Sequence, residues 1–315
     1  MPGDPLSRLL SSSDLAARRV AARRRRRRRR IAAVLVLAVA CAAAVLVALR
    51  LSGTGSPPRR VAALAPPPPR AVRRIPRRRP RPVSHREADT AAVQRVLGYT
   101  SYVQVAGDRA RDVALTFDDG PGPYTPRILA VLQRMHVPAT FFVIGRSARA
   151  YPRLVAAEVK AGCVVGDHTE DHPPLGVLSP ARQANEIAAA AGAIRAAGAP
   201  SPLLMRPPYG SFNAATLEVL RAERMLMVLW SADTEDYTRP GVRRIIYTAV
   251  SGGRPGAIIL MHDGGGDRSQ TVAALPRIIT RLRQRGFRLV TVSQLLADDP
   301  PPAHQPPPVP LSGTV

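Results

Sequence analysis

The chain has 315 residues, and 46 Lys and Arg against 22 Asp and Glu give it a formal charge of +24. Residues 1–89 hold 22 basic and 4 acidic residues and so carry +18 of this charge, which leaves only +6 for the rest. Nucleic-acid binding by the main domain is therefore not expected, because its surface is only mildly basic. The two cysteines, Cys41 and Cys163, exclude a disulfide framework, and the length suits one large domain with additional segments.

The first element is an apolar run that follows a block of arginines. Residues 23–30 are eight consecutive arginines, and residues 31–49 contain no charge. Since about 20 apolar residues cross a bilayer as a helix, residues 31–49 are predicted to be an uncleaved transmembrane anchor. A cleaved signal peptide is the alternative, with a candidate site at Ala63-Leu64-Ala65.

The charge on either side of the apolar run predicts its orientation. Basic residues close to a span stay on the cytoplasmic side, and far more arginines precede this run than follow it. Residues 1–30 are therefore expected to be a cytoplasmic Arg-rich segment. The protein would be a single-pass protein of the cell membrane, with the domain that follows outside the cytoplasm.

Two segments are rich in proline. Residues 50–106 contain runs of Pro and an alternation of Arg and Pro, and residues 299–315 are again Pro-rich. Such sequences bury too little apolar surface to fold and favour extended geometry. We expect a spacer at 50–106 and a disordered tail at 299–315.

The domain at residues 107–298 alternates short apolar runs with helical patterns. Strands are predicted at 113–117, 140–143, 164–167, 203–206, 226–230, 257–261 and 289–292. Helices are predicted at 126–135, 149–161, 180–197, 213–224, 242–251 and 271–285. Alternation of this kind indicates parallel strands, in either a closed barrel or an open doubly wound sheet.

Chemically active side chains follow almost every predicted strand. They are Asp118, Asp119, His168, His172, Arg206, Asp233, Asp236, His262 and Asp263. The carboxyl ends of barrel strands converge on one face, which is where barrel enzymes place their active sites. This distribution favours an α/β barrel.

His168 and His172 suggest a metal site. With one carboxylate from the end of the first predicted strand they would supply three ligands and leave positions open for water. Asp118 and Asp119 would then divide the roles of ligand and base. The residues alone leave two simpler alternatives open, namely surface histidines and an Asp-Asp-Gly-Pro turn.

Five ordered motifs carry a family resemblance across residues 111–297. They are Thr116-Phe117-Asp118-Asp119-Gly120-Pro121, His168-Thr169-x-x-His172-Pro173, Arg206-Pro207-Pro208-Tyr209-Gly210, Asp233-x-x-Asp236-Tyr237 and Leu260-Met261-His262-Asp263. The sequence resembles the polysaccharide deacetylases, the NodB homology domains of carbohydrate esterase family 4. This resemblance implies a distorted, TIM-like (β/α) barrel of seven strands.

The resemblance also implies roles for individual residues. It makes Asp118 the general base, paired with Arg206, and His262 the general acid, oriented by Asp236. The backbone N–H of Tyr209 would stabilise an oxyanion. The implied metal ligands are Asp119, His168 and His172. The cofactor would be a divalent cation, with zinc expected first and cobalt or manganese as alternatives.

The implied substrate-binding residues are Tyr209, Leu260, Tyr237 and Trp230. Two positions depart from the family pattern. Tyr237 stands where Trp is usual, which changes one wall of the acetyl pocket. Asp167 stands where Asn is commoner and is expected to add negative charge near the metal.

The function implied by the resemblance is a metal-dependent hydrolase that removes N-acetyl groups from N-acetylglucosamine polymers. Peptidoglycan of the cell wall and chitin-like oligosaccharides are the expected substrates. Two alternatives are an O-acetyl esterase acting on xylan-like glycans and a non-catalytic wall-glycan-binding module. The sequence leaves the oligomeric state open.

Overall fold

The computed structural model describes residues 85–303 and residue 305. The predicted anchor at 31–49 and most of the predicted spacer lie outside these residues. Within the described part, the chain forms no helix that is both long and apolar enough to cross a membrane.

The strands and helices alternate along the described chain. The strands are β1 (Tyr102–Val103), β2 (Asp112–Asp118), β3 (Thr140–Val143), β4 (Val164–Asp167), β5 (Leu204–Met205), β6 (Leu226–Val228), β7 (Ala232–Asp233), β8 (Ala257–His262) and β9 (Arg288–Val290). The helices are α1 (His85–Leu97), α2 (Thr125–Arg134), α3 (Gly145–Ala150), α4 (Pro152–Lys160), α5 (Pro180–Ala196), α6 (Ala214–Ala222), α7 (Val242–Gly252), α8 (Ser269–Gln284) and α9 (Val292–Asp298).

One sheet with parallel strands forms the centre of the fold. Its strand order is β1-β6-β5-β4-β3-β2-β8-β7, and β9 also pairs with β2. Every residue of β2 is buried, and β2 pairs in parallel with β3, β8 and β9. The parallel α/β architecture is therefore confirmed, and the distorted seven-stranded barrel that was predicted takes the form of a curled half-barrel with nine strands in the described part of the chain. The prediction omitted β1 and β7, which have two residues each, although it included the equally short β5 within 203–206.

The six predicted helices are present, one of them divided in two, whereas α1 and α9 were not predicted. The helix predicted at 149–161 is two helices, α3 and α4, which are separated at Tyr151. Pro152 has no N–H and disfavours helical geometry in the preceding residue, whose φ is −131° and ψ 53°. Three other helices begin at side-chain caps, with Ser179 before α5, Asn213 before α6 and Thr291 before α9.

The folded domain begins earlier than predicted. Helix α1 lies inside the predicted spacer at 50–106, and its residues Ala92, Val93 and Val96 are fully buried in a cluster that includes Leu295 and Leu296. The prediction was wrong here because the Pro and Arg content upstream obscured an apolar face only three residues wide. The ordered structure thus extends back at least to residue 85.

The start of the predicted tail also packs against the domain. Asp299 is buried, and its carboxylate accepts hydrogen bonds from the backbone N–H groups of Arg109 and Ala110, at 2.6 and 2.9 Å. Tyr99 Oη donates to the carbonyl of Pro301 at 2.8 Å. Disorder from residue 299 was therefore the wrong prediction for the first residues of this segment, while residues 306–315 lie outside the described part.

Candidate active site

Two carboxylates leave the end of β2 in different directions. Asp118 is the last residue of β2, lies in register with His262 of β8, and is only 3% exposed. Asp119 follows with a φ of 71°, which turns its side chain away from the direction of the strand. The Oδ1 atom of Asp118 accepts a hydrogen bond from Arg206 Nη1 at 2.8 Å. The adjacent aspartates are thus free to do different chemistry.

Asp119, His168 and His172 form a cluster that can hold a metal ion. Asp119 Oδ1 lies 3.1 Å from His172 Nε2 and 3.5 Å from His168 Nε2, and one ligand atom from each residue lies within 4.8 Å of the others. The same Oδ1 atom is buried and accepts no hydrogen bond among the described residues. His168 is only 2% exposed, so the alternative of surface histidines does not describe it.

A short hydrogen-bonded turn after β4 places His172. Asp167 Oδ1 accepts from the backbone N–H of Thr169 at 2.8 Å, and Thr169 Oγ1 accepts from the backbone N–H of His172 at 3.1 Å. Thr169 and His172 have φ values of 66° and 64°. Asp and Thr side chains commonly close turns of this kind on their own backbone. The turn brings His172 back beside His168, four residues after it in sequence.

The second ring nitrogen of each histidine has its own partner. His168 Nδ1 lies 2.7 Å from the carbonyl oxygen of Arg206, and His172 Nδ1 lies 3.1 Å from Tyr209 Oη. Both partners belong to the segment that follows β5. Each ring therefore directs its Nε2 atom towards Asp119, which is the orientation that a metal ligand needs.

Arg206 is a fully buried cation that pairs with Asp118. Its Nη1 donates to Asp118 Oδ1 and to Thr116 Oγ1, both at 2.8 Å. Its Nε and Nη2 donate to the carbonyl oxygens of Val228 and Leu229, at 3.1 and 3.2 Å. Burial lowers the pKa of Arg206, and the charge of Asp118 acts against that shift. A guanidinium fixed at four points provides a rigid countercharge for Asp118.

His262 and Asp236 form a second, separate pair. Asp236 Oδ1 lies 2.7 Å from His262 Nδ1, and Asp236 Oδ2 accepts from the backbone N–H of His262 at 2.9 Å and from Thr271 Oγ1 at 2.6 Å. Burial by itself lowers the pKa of His262, but the hydrogen bond and charge of Asp236 outweigh it and raise this pKa to about 9. His262 is therefore protonated at neutral pH, as a general acid must be.

The charge near the metal cluster differs from the sequence expectation at one residue. Burial raises the pKa of Asp167 to about 8, and its Oδ2 atom has no hydrogen-bond partner among the described residues. Burial thus favours the neutral form of Asp167 and acts against the negative charge that was expected at this position. Burial also opposes ionisation of Asp119, but the contacts with His168 and His172 outweigh it and lower the pKa of Asp119.

The four predicted substrate-binding residues occupy different environments. Tyr209 is 55% exposed and Tyr237 50% exposed, and the ring centroids of Tyr237 and His262 lie 5.3 Å apart. Trp230 is half-buried, with its ring 5.6 Å from Arg206 Cζ, and Leu260 on β8 is almost fully buried. The exposed tyrosines can meet a ligand directly. Contact of Trp230 and Leu260 with substrate stays a prediction.

Two interactions of the site were absent from the sequence interpretation. Thr271, near the start of α8, donates to Asp236, although 35 residues separate them. The phenol of Tyr209 contacts His172, whereas the sequence had suggested for Tyr209 only substrate binding and an oxyanion role of its backbone N–H. No local pattern reveals either contact, because both depend on how helices and loops pack around the strand ends.

The comparisons with known proteins agree with this arrangement. The family described as polysaccharide deacetylase matches residues 106–228. A chitooligosaccharide deacetylase of Bradyrhizobium sp. (strain ANU 289) is 42% identical over 208 residues, covering 62% of this chain and 94% of the relative. A peptidoglycan-N-acetylglucosamine deacetylase of Bacillus cereus (strain ATCC 14579) is 41% identical over 187 residues, covering 58% and 87%.

A solved structure supports the same assignment. A peptidoglycan N-acetylglucosamine deacetylase in complex with a substituted N-hydroxybenzamide superposes with a TM-score of 0.60 at 32% identity, covering 62% of this chain and 92% of that chain. The chain thus belongs to the polysaccharide deacetylase family, carbohydrate esterase family 4, as its five motifs indicated.

Proposed function

We propose that this protein is a metal-dependent hydrolase that removes N-acetyl groups from N-acetylglucosamine-containing polysaccharide, with peptidoglycan or chitin-like oligosaccharide as the polymer. The observation that carries the proposal is the placement of Asp118. It is paired with buried Arg206, its Oδ2 lies 3.9 Å from His168 Nε2 at the metal cluster, and it is in register with His262 on the neighbouring strand. Relatives named for chitooligosaccharide and for peptidoglycan deacetylation support both polymers.

The residues present fit a divalent cation. One carboxylate and two imidazoles are a donor set for such ions, and Asp119 Oδ1 is buried without a hydrogen-bond donor. Asp119, His168 and His172 would hold the ion, and zinc is the first expectation, with cobalt or manganese as alternatives. When bound, the ion supplies Lewis-acid chemistry, since it lowers the pKa of water and polarises a carbonyl group.

The protein side chains carry the proton transfers. Asp118 accepts a proton as a water oxygen forms a bond to the acetyl carbon. The backbone N–H of Tyr209 donates to the oxyanion that develops on the carbonyl oxygen. His262 gives a proton to the sugar nitrogen as the carbon–nitrogen bond breaks, which yields a free amine and acetic acid, and the acid then loses its proton to solvent as acetate. The proton gained by Asp118 equals the one lost by His262, and exchange with solvent restores both.

A substrate panel tests the proposal. Purified protein loaded with zinc is incubated with acetylated chitooligosaccharides, muropeptides and acetylxylan, and released acetate is measured with and without a chelator. Chelator-sensitive release from either N-acetylated substrate supports the proposal. Release from acetylxylan alone identifies an O-acetyl esterase, and binding to glycans without any release identifies a glycan-binding module.

We also propose that the enzyme acts outside the cytoplasmic membrane, held there by the apolar run at residues 31–49. This proposal rests on the sequence, in which eight arginines precede an uncharged run of 19 residues. In a bacterial host, a tag at the C-terminus should become sensitive to protease in spheroplasts while the protein sediments with membranes. A variant lacking residues 31–49 is the control. It should not sediment with membranes, and its tag should not become sensitive to protease in spheroplasts.

A further inference from the structure

The two histidines of the metal cluster are oriented by different kinds of partner. His168 Nδ1 contacts the main-chain carbonyl of Arg206 at 2.7 Å, a group that every residue type provides. His172 Nδ1 contacts the phenol oxygen of Tyr209 at 3.1 Å, and only a side chain provides that atom. Substitution can therefore remove the partner of His172 while the partner of His168 stays in place.

The geometry around Tyr209 holds its phenol against His172. Tyr209 has a φ of 60° in the turn Pro208–Gly210, which directs its side chain towards the metal cluster. The ring centroids of Tyr209 and His172 lie 4.7 Å apart at an angle of 71°, an edge-to-face contact. The hydrogen bond and the ring contact act on the same imidazole, so together they restrict its rotation.

We propose that Tyr209 is a positioning residue of the metal site, whose hydroxyl accepts the Nδ1–H of His172 and thereby presents Nε2 of that histidine to the metal. A neutral imidazole carries one ring proton, and an acceptor at Nδ1 retains it there and leaves Nε2 free as a ligand. This role belongs to the phenol and is additional to the oxyanion role proposed for the backbone N–H. It rests on the metal-dependent function proposed above.

The expected size of the effect follows from the behaviour of metal sites in general. Loss of a group that orients a metal-bound histidine lowers metal affinity by about 10- to 100-fold. The other two ligands, Asp119 and His168, keep their own contacts when the phenol is removed. The site should therefore bind metal more weakly instead of losing it altogether.

The test compares two single-hydroxyl deletions in the full chain. Tyr209→Phe removes the contact with His172, and Tyr237→Phe is the matched control, because Tyr237 is similarly exposed and its ring lies beside His262. Zinc affinity is measured on metal-free protein by competition with a chelator of known affinity. The melting temperature of the metal-free protein is measured for each variant. We expect a 10- to 100-fold weaker zinc affinity for Tyr209→Phe only, with unchanged metal-free melting temperatures.

Two results would overturn the proposal. One is zinc affinity of Tyr209→Phe within about twofold of the unmodified protein, and the other is an equal loss of affinity in Tyr237→Phe. Acetate release at saturating zinc separates this inference from the proposed function. A protein that releases no acetate from any substrate, yet binds zinc more weakly after Tyr209→Phe, would retain the positioning role and lose the deacetylase function. Normal activity with unchanged zinc affinity in Tyr209→Phe would retain the deacetylase function and reject the positioning role.

Discussion

The active site has two parts that differ in how their polar atoms are paired. We call Asp119, His168 and His172 the metal corner, and His262 with Asp236 the acid corner. At the metal corner, Asp119 and His172 both have positive φ values, and Asp119 Oδ1 is buried without a hydrogen-bond donor. At the acid corner, both oxygens of Asp236 are occupied, one by the ring of His262 and the other by its backbone N–H and by Thr271. The metal corner thus leaves one carboxylate oxygen available as a ligand, whereas the acid corner leaves no carboxylate oxygen of Asp236 available.

This difference matches what each corner is proposed to hold, a metal cation at the metal corner and a proton at the acid corner. A cation needs electron pairs that no proton already uses, which describes the unpartnered oxygen of Asp119. A general acid needs its proton held in one place, and the saturated carboxylate of Asp236 does this for His262. Variants at the two corners should therefore separate into those that lose metal and those that keep metal but lose proton transfer.

The largest effect is expected at the metal corner. His172→Ala removes one of three ligands, so both bound zinc and acetate release should fall below detection. Metal content after gel filtration and acetate release are measured on the same sample. His136→Asn is the control, because His136 is exposed and its φ of 51° is one that Asn tolerates. Zinc retained at full occupancy in His172→Ala would mean that His172 is not a ligand.

Asp118→Asn should separate metal binding from catalysis. The amide keeps the shape of the side chain but cannot accept a proton, so kcat should fall by about 10²- to 10⁴-fold. Asp118 is not one of the three clustered ligands, and zinc content should therefore stay at the level of the unmodified protein. Loss of zinc together with activity would place Asp118 at the metal instead of at the base.

These residues also show how far the sequence alone could reach. The convergence of Asp118, Asp119, His168 and His172 was predictable because each lies at or after the end of a strand, and the ends of parallel strands meet at one face of the sheet. The environment of Asp167 was not predictable. Complete burial and an Oδ2 atom without a partner among the described residues oppose its ionisation, and a sequence does not reveal how deeply the last residue of a strand is buried.

Asp236→Asn should change the pH dependence of the reaction. The pKa of His262 is about 9 because Asp236 outweighs burial, so the protonated acid and its activity are present below this pH and lost as pH rises through it. Without the carboxylate charge, the pKa should fall towards about 6.5 or below. The loss of activity with rising pH should then begin lower, with a drop of about 30-fold at pH 8.

The control for this variant is zinc affinity, which should not change because Asp236 does not touch the metal cluster. Activity is measured as kcat/KM for acetate release across pH 5 to 10 in a buffer series of constant ionic strength. An alkaline limb that stays near pH 9 in Asp236→Asn would show that Asp236 does not set the protonation of His262.

The secondary structure shows the same contrast between elements that a sequence pattern predicts and elements that depend on tertiary packing. Strands β3 and β4 were predicted with the bounds they have, since each is a short run in which all residues, or all but the first, are buried. Helix α1 was missed because its apolar face is short and follows a Pro-rich and Arg-rich stretch. Its stability comes from packing against α9, a contact between residues about 200 positions apart.

The smallest effect is expected at Thr271. Variants there test whether Asp236 needs all of its hydrogen bonds in order to orient His262. Thr271 is fully buried, and its hydroxyl donates to Asp236 Oδ2 at 2.6 Å. Thr271→Val keeps the shape and removes the donor, whereas Thr271→Ser keeps the donor and removes a methyl group. A hydrogen bond to a charged group contributes about 1.5–3 kcal/mol, which corresponds to roughly 10- to 150-fold in rate. Because Asp236 keeps its two contacts with His262, kcat of the Val variant should fall by about 10-fold, the lower end of this range, with little change in KM. The Ser variant should retain kcat if the hydroxyl orients Asp236, and it should be the more damaged of the two if Thr271 only fills space.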